Sequence, residues 1–238
     1  MCIRDSRGGL HGQIVHAIGS QIVAGKIRPG EQLPAQPGLP ASRTVQREVI
    51  KVLAAKGLVE SRPRTGTRVR PRHAWNLLDP DVLAWHQHIA QPAAFLLELT
   101  EVRLVIEPAA AELAARRASP GELQTIEEAY QDMEGALRGR GRDYEAFNRA
   151  DMHFHHSIVQ ASGNELLQQI GQVVNSALLI SFETTSRLPG RARASLPMHR
   201  AVLDAIRERQ ARRARASMRR LVQETALEVE KLPRPRPR

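Results

Sequence analysis

Ala41–Arg70 reads ASRTVQREVIKVLAAKGLVESRPRTGTRVR, and this stretch decides the fold. Ser42 is placed to accept hydrogen bonds from the backbone N–H groups of the turn that follows it. Val45, Val49, Val52 and Leu53 recur at steps of four, three and one, which predicts one apolar helical face. Arg43, Gln46, Arg47 and Lys51 fall mainly on the other faces. Gly57 is expected to close the helix in the left-handed region. Leu58–Arg62 and Thr67–Arg70 are expected to pair as a hairpin around Pro63–Gly66. A capped helix with Arg and Gln at its start, followed by a basic hairpin, suits DNA. The helix start can enter the major groove, where Arg reads guanine and Gln reads adenine. The hairpin can follow the backbone or minor groove. The DNA-binding candidates are Arg43, Thr44, Gln46 and Arg47 on the helix, with Arg64, Thr65 and Gly66 in the turn. The bland alternative is a capped surface helix with solvated charges.

Upstream lies Ile22-Val23-Ala24-Gly25-Lys26-Ile27-Arg28-Pro29-Gly30-Glu31-Gln32-Leu33-Pro34. Together with Ser42-Arg43-Thr44, Arg47-Glu48, Gly57-Leu58-Val59 and Gly66-Thr67, it resembles the winged helix-turn-helix of GntR-family bacterial transcription regulators, over roughly Leu10–Arg70. The resemblance implies operator DNA as partner and a homodimer, since two-fold symmetry supplies two recognition helices for a palindrome. One segment departs from the pattern. Leu33-Pro34 to Ser42-Arg43 is shorter than usual by about four residues, one helical turn. It also contains Pro37, Gly38 and Pro40, which break helices. The helix that should buttress the recognition helix is expected to be truncated or absent.

The chain has 238 residues and a net charge of +10, unevenly spread. Residues 1–72 carry a net +9, residues 73–206 a net −6, and residues 207–238 a net +7. The basic first part fits a polyanion and the acidic middle does not. A single cysteine, Cys2, excludes an internal disulfide framework. No apolar run is long enough to span a bilayer, and nothing at the start reads as a signal peptide, so no membrane partner and a cytoplasmic setting are expected.

The expected organisation is mainly α with two folded domains. Residues 1–9 read as a non-native or disordered leader, and 10–72 as the winged-helix domain with its small hairpin. Residues 73–92 read as a linker, 93–232 as an all-α bundle, and 233–238, alternating Pro and Arg, as a solvated tail. In the linker, Asp79 is placed to cap a helix that starts at Pro80. Trp75 and Trp85, the two tryptophans of the chain, read as an anchor between domains. Trp75–Trp85 also resembles the linker of sugar-acid-responsive GntR regulators of the galactonate-operon repressor type. The long region of helical periodicity resembles the FCD ligand-binding domain of the FadR subfamily, over roughly Phe95–Leu232.

Within that bundle, Asp151 and His155 are four apart and share one helix face. His199 stands early in a later helix that could face the first. One carboxylate and two imidazoles suit a divalent metal such as zinc, nickel or manganese. The alternative is a hydrogen-bonded Asp–His pair. The FCD resemblance implies that Asp151, His155 and His199 are metal ligands. It places a fourth ligand at about Leu221, where no histidine stands, so metal affinity is expected to be modest. Arg103 sits within an apolar helical run, where a cation must meet an anion or reach water. The resemblance makes it an effector-pocket residue, with its fork on a carboxylate. The alternative is a surface pair with Glu101 or Glu107. Asn148, one turn before Asp151, is expected to line the same pocket.

The function implied is a ligand-responsive repressor of a sugar-acid, galactonate-like catabolic operon, released from DNA by a small carboxylate effector, and not an enzyme. A metal-dependent hydrolase or lyase is the rival, but no nucleophile–base pair accompanies the three ligands. A nonspecific nucleic-acid binder using the Arg-rich end is a third reading, weakened because those charges spread around a helix.

Overall fold

The computed structural model describes residues 9–33, 42–62, 66–86, 92–138, 143–174 and 191–230. Pro34–Ala41, with its expected loss of a buttressing helix, lies outside them. So do Arg64, Thr65, the side chain of Arg43 and the leader and tail residues 1–8 and 231–238. The chain divides into two compact units, 1–90 and 91–238.

In the first unit, α1 (Leu10–Val23) buries Ile14, Val15, Ile18, Ile22 and Val23 on one face. The helix α2 (Arg43–Ala55) opens on Ser42, whose Oγ accepts from Val45 N–H at 3.3 Å. Gly57 follows with φ 75°, and a Cβ there would stand 2.4 Å from the Ala74 carbonyl oxygen, so glycine is required twice over. The hairpin pairs β1 (Val59–Arg62) with β2 (Gly66–Val69) antiparallel, Val59 opposite Val69. Residues 30–33 add a third edge to it. Gly30 donates to Val69 O, Val69 to Glu31 O and Leu33 to Thr67 O, at 2.8–2.9 Å. That edge was not expected, because Pro29-Gly30 reads as a turn and too few residues follow to show a strand period.

The described part of the expected linker packs onto this unit. A short 3-10 turn (Arg72–Ala74) leads to α3 (Pro80–His86). Asp79 caps α3 as expected, its Oδ1 accepting from Asp81 and Val82 N–H at 2.9 and 3.2 Å. Trp75, Val82 and Trp85 join the core formed by α1, α2 and the hairpin. The tryptophans therefore belong to the head, where their large apolar surface is buried. The Trp85 indole N–H donates to His16 Nδ1 of α1 at 2.9 Å, and Trp75 donates to Arg70 O at 2.8 Å. Lys56, at the end of α2, lies 2.8 Å from carboxylate oxygens of both Asp79 and Asp81. Burial pulls the Lys56 ammonium down, but the two aspartates raise it above its ordinary value.

The second unit is helical throughout its described residues. It comprises α4 (Pro92–Arg117), α5 (Pro120–Ala136), α6 (Tyr144–Gln160), α7 (165–174), α8 (Arg191–Arg207) and α9 (Ala211–Glu230). Ser119 and Glu122 form a reciprocal capping box at α5, as their spacing predicts. Asp143 caps α6 by accepting from Ala146 N–H at 2.8 Å. Helix α4 runs through Pro108, and α8 begins at Arg191 and runs through Pro197. Pro197, seventh in α8, lacks the N–H that would close a helical bond one turn back. Ala110, Ala111, Ala114 and Ala115 of α4 are fully buried, and such small side chains let α9 approach closely. Helix α4 also packs on α6 and α8, which brings three helices around one polar cluster.

Candidate metal centre and nucleic-acid interface

On α2 the faces divide as the sequence predicts. Val49 and Leu53 are buried, Val45 and Val52 half-buried, and Thr44, Gln46 and Arg47 exposed. Gly66 opens β2 with φ 78°, and a Cβ there would meet Gln32 Nε2 at 2.5 Å. The positive φ favours glycine at the start of this strand, while the Gln32 amide, at the end of an exposed side chain, can step aside. The expected DNA-reading side chains Thr44, Gln46 and Arg47 thus share a solvent-facing helix start.

The second unit carries the chemistry. Asp151 and His155 project from α6 and His199 from α8, each less than a tenth exposed. One donor atom from each lies within 4.8 Å of the others. His199 Nδ1 is 2.9 Å from the Ser195 carbonyl oxygen, one turn back. This fixes the proton on Nδ1 and leaves Nε2 as the donor atom, 2.8 Å from Asp151 Oδ1. His155 Nδ1 is 2.7 Å from Glu107 Oε2 on α4. Phe154 stands edge-on to both imidazoles, at 5.8 and 5.3 Å between ring centres, and walls the cluster.

Arg103 does not reach the surface. It is 3% exposed and paired with Glu107, also 3% exposed, through Nε–Oε1 at 2.5 Å and Nη2–Oε2 at 3.4 Å. The sequence alternatives placed such a pair at the surface; the structure buries it, because an i, i+4 pair of opposite charge can be carried inside an apolar helix. An incoming carboxylate would have to share the guanidinium with Glu107. Sequence reasoning offered Glu107 as a surface partner of Arg103 and missed its place beside His155. Its signal was present, since Arg103 and Glu107 are the charges spaced one turn apart within Leu99–Ile106 and its continuation. Asn148, half-buried, stands one turn before Asp151 on α6. His153 is exposed and His156 half-buried, apart from the cluster. Leu221 is buried in the apolar core of α9 and offers no ligand.

Electrostatics favour a cation. Burial pushes the Glu107 carboxyl up, but Arg103 and then His155 outweigh it and hold it at about 2. Burial likewise pushes Asp151 up, and His199, His155 and Arg103 hold it well below the usual carboxylate range. Both carboxylates are therefore ionised. A divalent cation bound there would displace protons from those imidazoles and supply the positive charge in their place. Geometry agrees. His155 Nδ1 and His199 Nε2 are buried close to carboxylate oxygens, yet neither meets hydrogen-bond geometry. One imidazole nitrogen from each of His155 and His199, with the Asp151 carboxylate among them, fits a first-row divalent ion such as zinc, nickel or manganese.

Comparison with known proteins accords with both halves. Residues 10–69 match the gntR family of bacterial regulatory proteins, and residues 98–224 match the FCD domain. The chain is 38% identical over 204 residues to the galactonate operon transcriptional repressor of Escherichia coli strain K12, covering 82% of this chain and 86% of that one. It is 32% identical over 209 residues to a putative L-lactate dehydrogenase operon regulatory protein of the same strain, covering 82% and 74%. A Streptococcus agalactiae GntR structure superposes with TM-score 0.52 at 25% identity, covering 91% of this chain and 99% of that chain. Lar, which controls expression of the Listeria monocytogenes agr system, shares the fold with TM-score 0.64 at 18% identity, covering 94% and 98%.

Proposed function

The chain belongs to the GntR family of bacterial regulatory proteins and carries an FCD domain, and from that premise we propose that it represses a sugar-acid catabolic operon and is released by a galactonate-like effector. The observation that carries this reading is the buried Asp151–His155–His199 cluster inside a helical unit joined to a DNA-binding head. Its relative with the galactonate operon supplies the class of ligand.

In this reading two heads, contributed by a homodimer, bind a palindromic operator in the cytoplasm. Thr44, Gln46 and Arg47 approach the major groove, with Arg43 at the helix start. Arg64, Thr65 and Gly66 follow the phosphate backbone or minor groove from the wing. Asp151, His155 and His199 hold a divalent cation, which when bound supplies a Lewis-acidic seat for a carboxylate. Arg103 lends positive charge beside that seat, and Asn148 meets a hydroxyl of the sugar acid. Three protein ligands leave coordination positions open, so metal and effector are expected to strengthen each other's binding. Release is a matter of linkage: an effector that prefers the DNA-free arrangement lowers operator affinity by the factor by which operator lowers its own.

The test is titration of operator DNA, followed by fluorescence anisotropy, against galactonate and other sugar acids on metal-loaded and chelator-treated protein. Galactonate-dependent release that disappears with chelator is expected. Release unaffected by chelator would remove the metal from the mechanism. No response to any sugar acid would leave a DNA-binding protein with a different effector.

A further inference from the structure

Glu107 lies outside every role given above, yet it touches two of the residues that matter. Its Oε1 is 2.5 Å from Arg103 Nε and its Oε2 is 2.7 Å from His155 Nδ1. It does not itself join the three residues whose donor atoms fall within 4.8 Å of one another. It therefore stands beside the donor set and not within it.

The imidazoles show a common division of labour. His199 turns Nδ1 to the Ser195 carbonyl and Nε2 to Asp151. His155 brings Nδ1 to 2.7 Å from Glu107 Oε2, out of line for a hydrogen bond as the ring stands, which leaves Nε2 as the nitrogen for an ion. A ligating histidine needs such an oxygen on its other nitrogen, because the contact fixes the tautomer, holds the ring and raises its basicity. We infer that Glu107 is the positioning residue of this centre, presenting His155 Nε2 to the metal, and that Arg103 serves mainly to hold Glu107 in place. This rests on the metal-centre reading above and deepens it. It also changes what Arg103 is for: the guanidinium is committed to an internal carboxylate, and the effector's carboxylate is recognised chiefly at the metal.

A buried carboxylate facing an imidazole could exist for packing alone, and the test must separate that from positioning. Zinc affinity is measured by competition with a chromogenic chelator on stripped full-length wild type, Glu107→Gln and the double variant Arg103→Gln/Glu107→Gln. Folding is checked by circular dichroism, and melting is followed in chelator. Glu107→Gln is expected to bind zinc about 10–100-fold more weakly than wild type. The double variant, free of the unpaired buried cation, is expected to recover melting temperature over Glu107→Gln without recovering zinc affinity. Nitrogen NMR of wild-type His155 with zinc should show Nε2 ligated and Nδ1 protonated. Wild-type zinc affinity in Glu107→Gln, its return in the double variant, or ligation through Nδ1 would overturn the inference while leaving the centre intact. Wild type that binds no zinc would instead overturn the centre, and the inference with it.

Discussion

Gly19→Ala in α1 should weaken the DNA-binding head, although the same change normally strengthens a helix. An exposed helical glycine replaced by alanine gains about 0.8–1 kcal/mol. At position 19 the new Cβ would lie 2.3 Å from Cη2 and Cζ3 of Trp85 and 2.7 Å from Cε3. That is roughly 1 Å inside ordinary carbon–carbon contact. The ring cannot step aside easily: it is 2% exposed and tied by its N–H to His16. Overpacking of this kind costs about 1–3 kcal/mol, and expelling the tryptophan altogether about 3–5. After the helical gain, the expected net loss is about 0–2 kcal/mol, or about 2–4 if the ring leaves. Because both tryptophans are packed in the first unit, their fluorescence reports its unfolding separately from the second unit. For a head of this size the smaller loss lowers the midpoint by up to roughly 16 °C. Gly135→Ala in α5 is the control, since nothing lies within 4 Å of its Cβ position; it should be neutral or slightly stabilising by circular dichroism. If Gly19→Ala raises the fluorescence midpoint, α3 is not seated on α1 as described.

Arg103→Ala should destabilise the second unit by about 3–5 kcal/mol, measured by urea unfolding of the chelated protein, because Glu107 is left buried and unpaired. Wild-type stability would mean that the pair is reached by water. The Glu107 carboxyl, held at about 2 against an ordinary 4.5, stabilises the fold fully above its unfolded value. That contribution should disappear as pH falls from about 4.5 through about 2, and a double variant lacking both charges should lose less stability over that window. Arg47→Ala should weaken operator binding by about 1–3 kcal/mol if it reads a base, and lower the salt dependence if it holds a phosphate; unchanged affinity at physiological salt would remove α2 from the groove. His155→Ala should abolish the effector response in anisotropy titrations while leaving operator binding by the free protein intact.

The parts of this fold that were legible in the sequence are governed by local rules. Ser42 and Asp79 cap their helices because a side-chain oxygen one turn ahead of free N–H groups has little else to do. Gly57 declares itself by its place after an apolar period. The Asp151–His155 pair follows from helical pitch, and His199 joined it through resemblance. What was illegible depends on partners distant in the chain. The 30–33 edge exists only because Thr67 and Val69 supply its hydrogen bonds. Trp85 joins the head because residue 19 lacks a side chain, a fact that no pattern within 73–92 records. Glu107 was visible as a charge, but whether the Arg103 pair faced water or the core depended on α6 and α8 lying against α4.

Lys56 is the last turn of the recognition helix, and its ammonium is held by Asp79 and Asp81 while its carbonyl accepts from Asn76 N–H at 3.0 Å. For anyone grafting this reading head onto a foreign sensor, the splice site is therefore set by that lysine. A chimera cut at residue 72, the boundary expected from the sequence, would strand an ammonium without its carboxylates and strip the hydrophobic floor supplied by Trp75 and Trp85. A transplant carried through His86 keeps the module whole, and the same boundary should govern any biosensor assembled from parts of this protein.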